Sequence, residues 1–176
     1  PVDESLKETV IAADPGLFVS DKIAVVDVDG LLFNQRQGTF MTGDNPVSLF
    51  VEKLDKAQAD RSVKAIVLRI NSPGGGVTAS DIMYHRLMQF KHDKPVPVIA
   101  VLEDVAASGG YYLACGADRI VAHPTSVTGS IGTIVQTFSL SGTMSLLHID
   151  AKAVTSGPKK DMASPFRPLD KEDLAI

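Results

Sequence analysis

Four short apolar runs, rich in β-branched residues, recur along the chain: Ile23 to Val26, Ala65 to Ile70, Val96 to Leu102 and Ile120 to Ala122. Each is short and apolar enough to predict a buried strand. Between the first two, Val47, Phe50, Val51 and Leu54 repeat at the i, i+3, i+4, i+7 spacing of one helix face. Asn45 in front of them offers a side-chain acceptor to first-turn amides, and Pro46 has no amide to leave orphaned, so a helix is predicted over 46–60. A second helix is predicted over 79–90, with Ile82, Met83, Leu87 and Phe90 as its buried stripe, and a third over the small residues 109–115. Before His148 an apolar stretch reads as a further helix, and Ala151 to Val154 reads as a strand. Strands that alternate with helices argue for an α/β fold whose sheet is covered by helices. Sites in such folds lie where strands end and helices begin.

Residues 1–21 form a lead-in segment with a turn signal at Asp14-Pro15-Gly16, and 22–176 read as one domain. The chain begins at Pro1 and runs out in Asp170 to Ile176, which has the pattern of the first turn or two of a helix. The expectation is a domain that continues past this C-terminus, with any membrane anchor lying before Pro1. With 176 residues, 44% hydrophobic and 22% charged, the composition excludes disordered, collagen-like and coiled-coil classes. The net charge of −4, with no basic cluster beyond Lys159-Lys160, argues against a nucleic-acid partner. A single cysteine, Cys115, rules out an internal disulfide and a cysteine-rich metal site. No apolar run approaches the roughly 18 residues of a membrane helix.

Two clusters stand where predicted strands give way to predicted helices. In Arg69 to Gly76, three consecutive glycines let backbone N–H groups face outward, which suits an anion or a developing oxyanion. A Walker loop is excluded, because its lysine and Ser/Thr are missing, and the GxGxxG spacing is absent too. A plain strand-to-helix turn remains the second reading of these glycines. In Val105 to Tyr112, Ser108 stands at the turn among small residues, with its hydroxyl exposed and the next N–H available as an oxyanion donor. That is how a nucleophile elbow presents its serine, although the GxSxG pattern itself is missing. The competing reading is a serine that caps the following helix.

A nucleophilic serine needs a base. His85, His92, His123 and His148 have no motif around them and read as solvated or structural. Thr155 to Pro165 is a polar loop containing Lys159 and Lys160, and periodicity alone makes it a solvated surface. A lysine acts as a base only when neutral, so its pKa must fall from about 10.4 towards 7 or 8, a differential cost near 4 kcal/mol that burial supplies.

Taken in order, INSPGG, ASGGYYLA, TGSIG, SGPKKD and SPFRPL resemble the signal peptide peptidase A (SppA) family of serine–lysine peptidases, within the ClpP/crotonase superfamily, over most of the chain from about Lys22. The resemblance implies an α/β, ClpP/crotonase-like fold of repeated β-β-α units with helices covering the sheets. It puts the nucleophile at Ser108, the general base at Lys160 beside Asp161 rather than at Lys159, and the serine that orients the lysine at Ser130. The oxyanion hole falls on Gly75, with the Gly109 N–H as second donor. No metal or other cofactor is implied.

The implied activity is that of an endopeptidase acting on cleaved signal peptides and other unfolded or membrane-derived segments. Such a protein is expected to be a homo-oligomer, membrane-anchored with its catalytic domain outside the cytoplasm. Two other readings stay open: a catalytically silent peptide-binding or scaffold subunit, and a crotonase-like acyl-CoA enzyme. The latter would share the glycine loop but would have no use for Ser108 with Lys160. A Clp-type Ser-His-Asp triad lacks its histidine downstream of the serine, where Thr133 and its neighbours stand. Most apolar side chains of Leu31-Leu32-Phe33 and Phe138-Ser139-Leu140 are expected to go to core packing.

Overall fold

A computed structural model of the chain describes residues 6–13, 16, 20–35, 44–157, 160–171 and 173. Most of the expected turn at Asp14-Pro15-Gly16, the rival lysine Lys159 and the last residues of the C-terminal helix pattern lie outside the described residues. The chain forms two compact units, 1–132 and 133–176, and each is taken by itself.

In the first unit, β1 (Lys22–Leu32), β2 (Val63–Gly75), β3 (Val98–Ala107) and β4 (Arg119–Ala122) lie side by side in chain order, every pair parallel. A fifth strand, β5 (Val127–Gly129), pairs with the last residues of β3, beyond the stretch that β4 occupies. Parallel neighbours require crossovers, and α1 (Pro46–Ala59), α2 (Val77–Asp93) and α3 (Gly109–Ala114) supply them. All four predicted strands form, but β4, at the edge of the sheet, is exposed at every residue against the expected burial. Three of them run well past their apolar runs: β1 continues from Val26 to Leu32, β2 continues through the glycine motif, with Leu31 opposite Gly74 and Leu32 opposite Gly75, and β3 continues to Ala107.

Burial alternates along β2. Val63, Ile66, Leu68, Ile70 and Ser72 point inward, while Lys64, Arg69 and Pro73 are exposed. The core joins the inward face to Val47, Phe50 and Leu54 of α1, to Met83, Leu87 and Phe90 of α2, and to Leu113 of α3. Each fully buried Leu or Phe contributes about 1.5–3 kcal/mol relative to exposure. The α1 start is capped as expected, with Asn45 Oδ1 accepting from the amides of Val47 at 3.0 Å and Ser48 at 3.3 Å. Two side chains depart from the predicted stripes, Val51 of α1, which is only half-buried, and Ile82 of α2. Ile82 is 37% exposed, because it stands about 100° round the helix from Met83, and Ala79 and Ser80 take the buried side instead. Because α2 reaches Asp93, His92 falls in its last turn.

The second unit has one regular element among its described residues, α4 (Ser141–Leu146). The strand expected at Ala151 to Val154 does not form. A strand is made by its pairing, and among the described residues of the second unit this stretch pairs with none, leaving Val154 fully exposed. Phe138 and Leu140 are exposed as well, against the expected core packing, whereas Leu32 of the other apolar run is fully buried. Asp170 and Asp173 accept reciprocally from each other's amides, at 2.9 and 3.0 Å, which is the capping-box arrangement of a helix start.

Candidate active site

Ser108 is the single residue between the end of β3 and the start of α3, and it sits at φ 50°, ψ −119°. A non-glycine residue in this region is held there by its surroundings, at a cost of about 1–3 kcal/mol. Here the holding bonds are backbone: the Ser108 N–H donates to Gly129 O at 2.7 Å, and its carbonyl accepts from Tyr112 N at 2.8 Å. Although Ser108 occupies the N-cap position of α3, its hydroxyl makes no capping bond. That separates it from a serine whose purpose is to cap a helix, because such a residue gains the bond that Ser108 forgoes.

The glycines around it allow chains to approach closer than side chains permit. At Gly74, where φ is +96°, a Cβ would lie 2.6 Å from Gly109 N and 2.9 Å from Ser108 Cβ. At Gly75 a Cβ would meet Leu32 O at 2.1 Å. Gly74 therefore lies directly against the serine, and Gly75 against β1. The Gly109 amide heads the first turn of α3, where an N–H has no acceptor further back in its own helix. Sequence reasoning missed Ser72, which is fully buried: its hydroxyl donates to Gly30 O at 2.5 Å and accepts from Gly74 N at 3.1 Å, pinning the glycine run to β1. Only its place inside the INSPGG run hinted at this.

Ser130 also has positive φ, 50°, and follows Gly129 at 77°. Since Ala107 of β3 pairs with Gly129 of β5, Ser108 and Ser130 are each the next residue past the last rung. The first unit thus brings Ser108, Gly74, Gly75, Gly109 and Ser130 together at the carboxyl ends of its strands. Its histidines lie elsewhere: His85 Nε2 is 3.4 Å from Asp81, His92 is in the last turn of α2, His123 bonds Thr125, and none of the three hydrogen-bonds Ser108.

Lys160 belongs to the second unit, where it is exposed at the head of a turn. The next residue, Asp161, is gripped by Arg167, and the hydrogen bond from that guanidinium holds the Asp161 carboxyl below the usual carboxylate range. Among the described residues no cluster of three or more His, Cys, Asp or Glu could hold a metal ion, and no helix is long and apolar enough to cross a membrane.

Residues 24–129 match the family model of the Clp protease, and residues 90–176 match that of peptidase family S49. A candidate protease of Methanocaldococcus jannaschii is 36% identical over 160 residues, which cover 89% of this chain and 51% of that protein. Serine protease SPPA of the Arabidopsis thaliana chloroplast is 33% identical over 159 residues, covering 89% of this chain and 23% of that one. The chain therefore spans about half the length of the first of these relatives, or less of the second. Among solved structures, the 1510-N membrane-bound stomatin-specific protease in complex with a substrate peptide superimposes with a TM-score of 0.54 at 23% identity, over 71% of this chain and 51% of its own, a likeness of fold. From the matched residues, the chain belongs to the Clp protease family, and its second half matches peptidase family S49.

Proposed function

We propose that this chain is the catalytic part of a serine endopeptidase in which Ser108 is the nucleophile and Lys160 the general base. The observation that carries the reading is the strained, uncapped turn of Ser108, packed against Gly74 and tied to Gly129. Neutral Lys160 takes the proton from Ser108 Oγ, and the oxygen attacks a peptide carbonyl. The amides of Gly75 and Gly109 receive the developing oxyanion, each such donor being worth about 3–4 kcal/mol in other hydrolases. Ser130 orients the lysine. The lysine then returns its proton to the leaving amine, and water, activated by the same base, releases the acyl group.

The substrates in this reading are unfolded or membrane-derived segments, including cleaved signal peptides, supported by the SPPA relative and by the peptide bound to the 1510-N protease. The working form is a homo-oligomer anchored to a membrane with this domain outside the cytoplasm, an inference from resemblance that the name of the 1510-N protease supports.

The test is hydrolysis of an unfolded protein and of apolar fluorogenic peptides at about pH 8 to 9 by the parent, Ser108→Ala and Lys160→Ala forms, with cleavage expected in the parent alone. Cleavage that survives Lys160→Ala removes the lysine from the mechanism. A folded parent that binds peptide and never cuts it supports the silent-subunit reading instead.

A further inference from the structure

We propose that Arg167 is a positioning residue for the lysine base, holding Asp161 away from Lys160 so that the lysine can lose its proton. The inference rests on the reading of Lys160 as the base.

An aspartate next to a lysine base is a liability. A carboxylate within about 4–6 Å of an amine favours the protonated ammonium, the opposite of what proton abstraction requires. In this chain the neighbouring carboxylate is already engaged. Arg167 Nε donates to Asp161 Oδ2 at 2.9 Å and Nη2 to Oδ1 at 3.2 Å, and Asp161 makes no ion pair with Lys160. This is the planar fork that arginine presents to a carboxylate and lysine cannot.

Arg167 is itself fixed. Nη2 donates to Asp173 Oδ1 at 3.0 Å and Nη1 to Asp173 Oδ2, and that aspartate side chain is only 2% exposed. Nη1 also donates to Pro168 O at 3.0 Å and lies 3.7 Å from Asp170 Oδ2. The turn it closes is anchored in turn: Ser164 N donates to Asp161 O at 3.0 Å, and Pro165 O accepts from Leu140 N, just before α4. Beside these groups the described charged residue of the loop is Lys171. Loss of Arg167 leaves the Asp161 carboxylate, one residue along from Lys160, without its cationic partner, and a carboxylate released beside an ammonium can only make that ammonium hold its proton more firmly.

The test is the pH profile of kcat/KM for peptide cleavage, measured beside thermal melts of each form. In Arg167→Ala the alkaline rise should move up by about one pH unit or more, which reads as roughly tenfold lower activity below it and recovery above it. Adding Asp161→Asn to that variant should bring the rise back towards the parental position, which a purely structural role for Arg167 would not do. Arg167→Lys, with the charge kept and the fork lost, should fall between. A folded Arg167→Ala form with the parental profile overturns the inference, as does a double variant shifted as far as the single one. If Arg167→Ala does not fold, Arg167→Lys and Asp161→Asn decide: the inference requires an upward shift in the first and none in the second, and the reverse overturns it. Lys160→Ala separates the two levels, because activity in that form sinks the base assignment itself, whereas its inactivity beside a parental Arg167→Ala profile sinks this inference alone.

Discussion

Ser108 stands in left-handed backbone without the hydroxyl bond that normally rewards a serine at a helix start, and the residue that makes room for it is Gly74. A methyl group at Gly74 would meet backbone nitrogen and the Ser108 Cβ, neither of which can swing aside, and its φ of +96° strains any larger residue as well. Gly74→Ala is therefore expected to cost about 1–3 kcal/mol of stability and to lower kcat by about a hundredfold, since a reacting group displaced by about 1 Å loses that much. A melt combined with steady-state kinetics checks it. Unchanged kinetics would mean that Gly74 is only a turn. At this scale the sequence announced Ser108 and the glycines, because their positions between apolar runs and small residues have a mechanical meaning. Ser72 and the grip of Arg167 on Asp161 were not legible, because a buried hydroxyl and a paired arginine look like any polar residue until their partners are known.

The strands and helices of the first unit were legible for a simple reason: β-branched runs and a 3.6-residue stripe each bury one face, and the core accepts both. Where the pattern misled, pairing or rotation decided. Ala151 to Val154 has the composition of a strand and no pairing partner among the described residues of its unit, and Ile82 lies one residue round from the buried line. The extension of β2 through Gly75 was hidden, since glycine and proline signal a loop, yet those glycines are what let the chain run close along Leu32. The N-terminus of α1 followed from two residues, and Asn45→Ala is expected to destabilise the first unit by about 1 kcal/mol, with activity at a temperature well below the melt unchanged. Chemical denaturation measures this. A loss much smaller than this would mean that Pro46 and the packing of Val47 suffice to start the helix.

Across the whole molecule, ion pairs join elements far apart in sequence, and they set how the fold responds to pH. Lys22 at the start of β1 bonds Asp60 at the end of α1 at 2.8 Å, and Lys91 in the last turn of α2 bonds Asp118, before β4, at 2.7 Å. Asp60, Asp118 and Asp161 are all held below the usual 3.8, in each case first by the hydrogen bond from the cationic partner. A carboxyl whose folded pKa is depressed stabilises the fold above its unfolded value, and the contribution fades as pH falls through the folded value. Lys22 is shifted upward by the same bond, so its share is complete below 10.5 and fades above it. The melting temperature is therefore expected to be level from about pH 5 to 8 and to drop below about pH 4, with Asp118→Asn flattening part of that drop. An Asp118→Asn form with the parental acid limb would show that this pair carries no stability.

Activation of Ser108 by Lys160 is read by covalent labelling without needing the right peptide. The protein is treated with a fluorophosphonate across mildly alkaline pH, and the adduct is followed by intact mass and peptide mapping. One adduct is expected, on Ser108, forming faster as pH rises and lost in both Ser108→Ala and Lys160→Ala. An adduct on another serine, or labelling of Ser108 at the parental rate in Lys160→Ala, would contradict it.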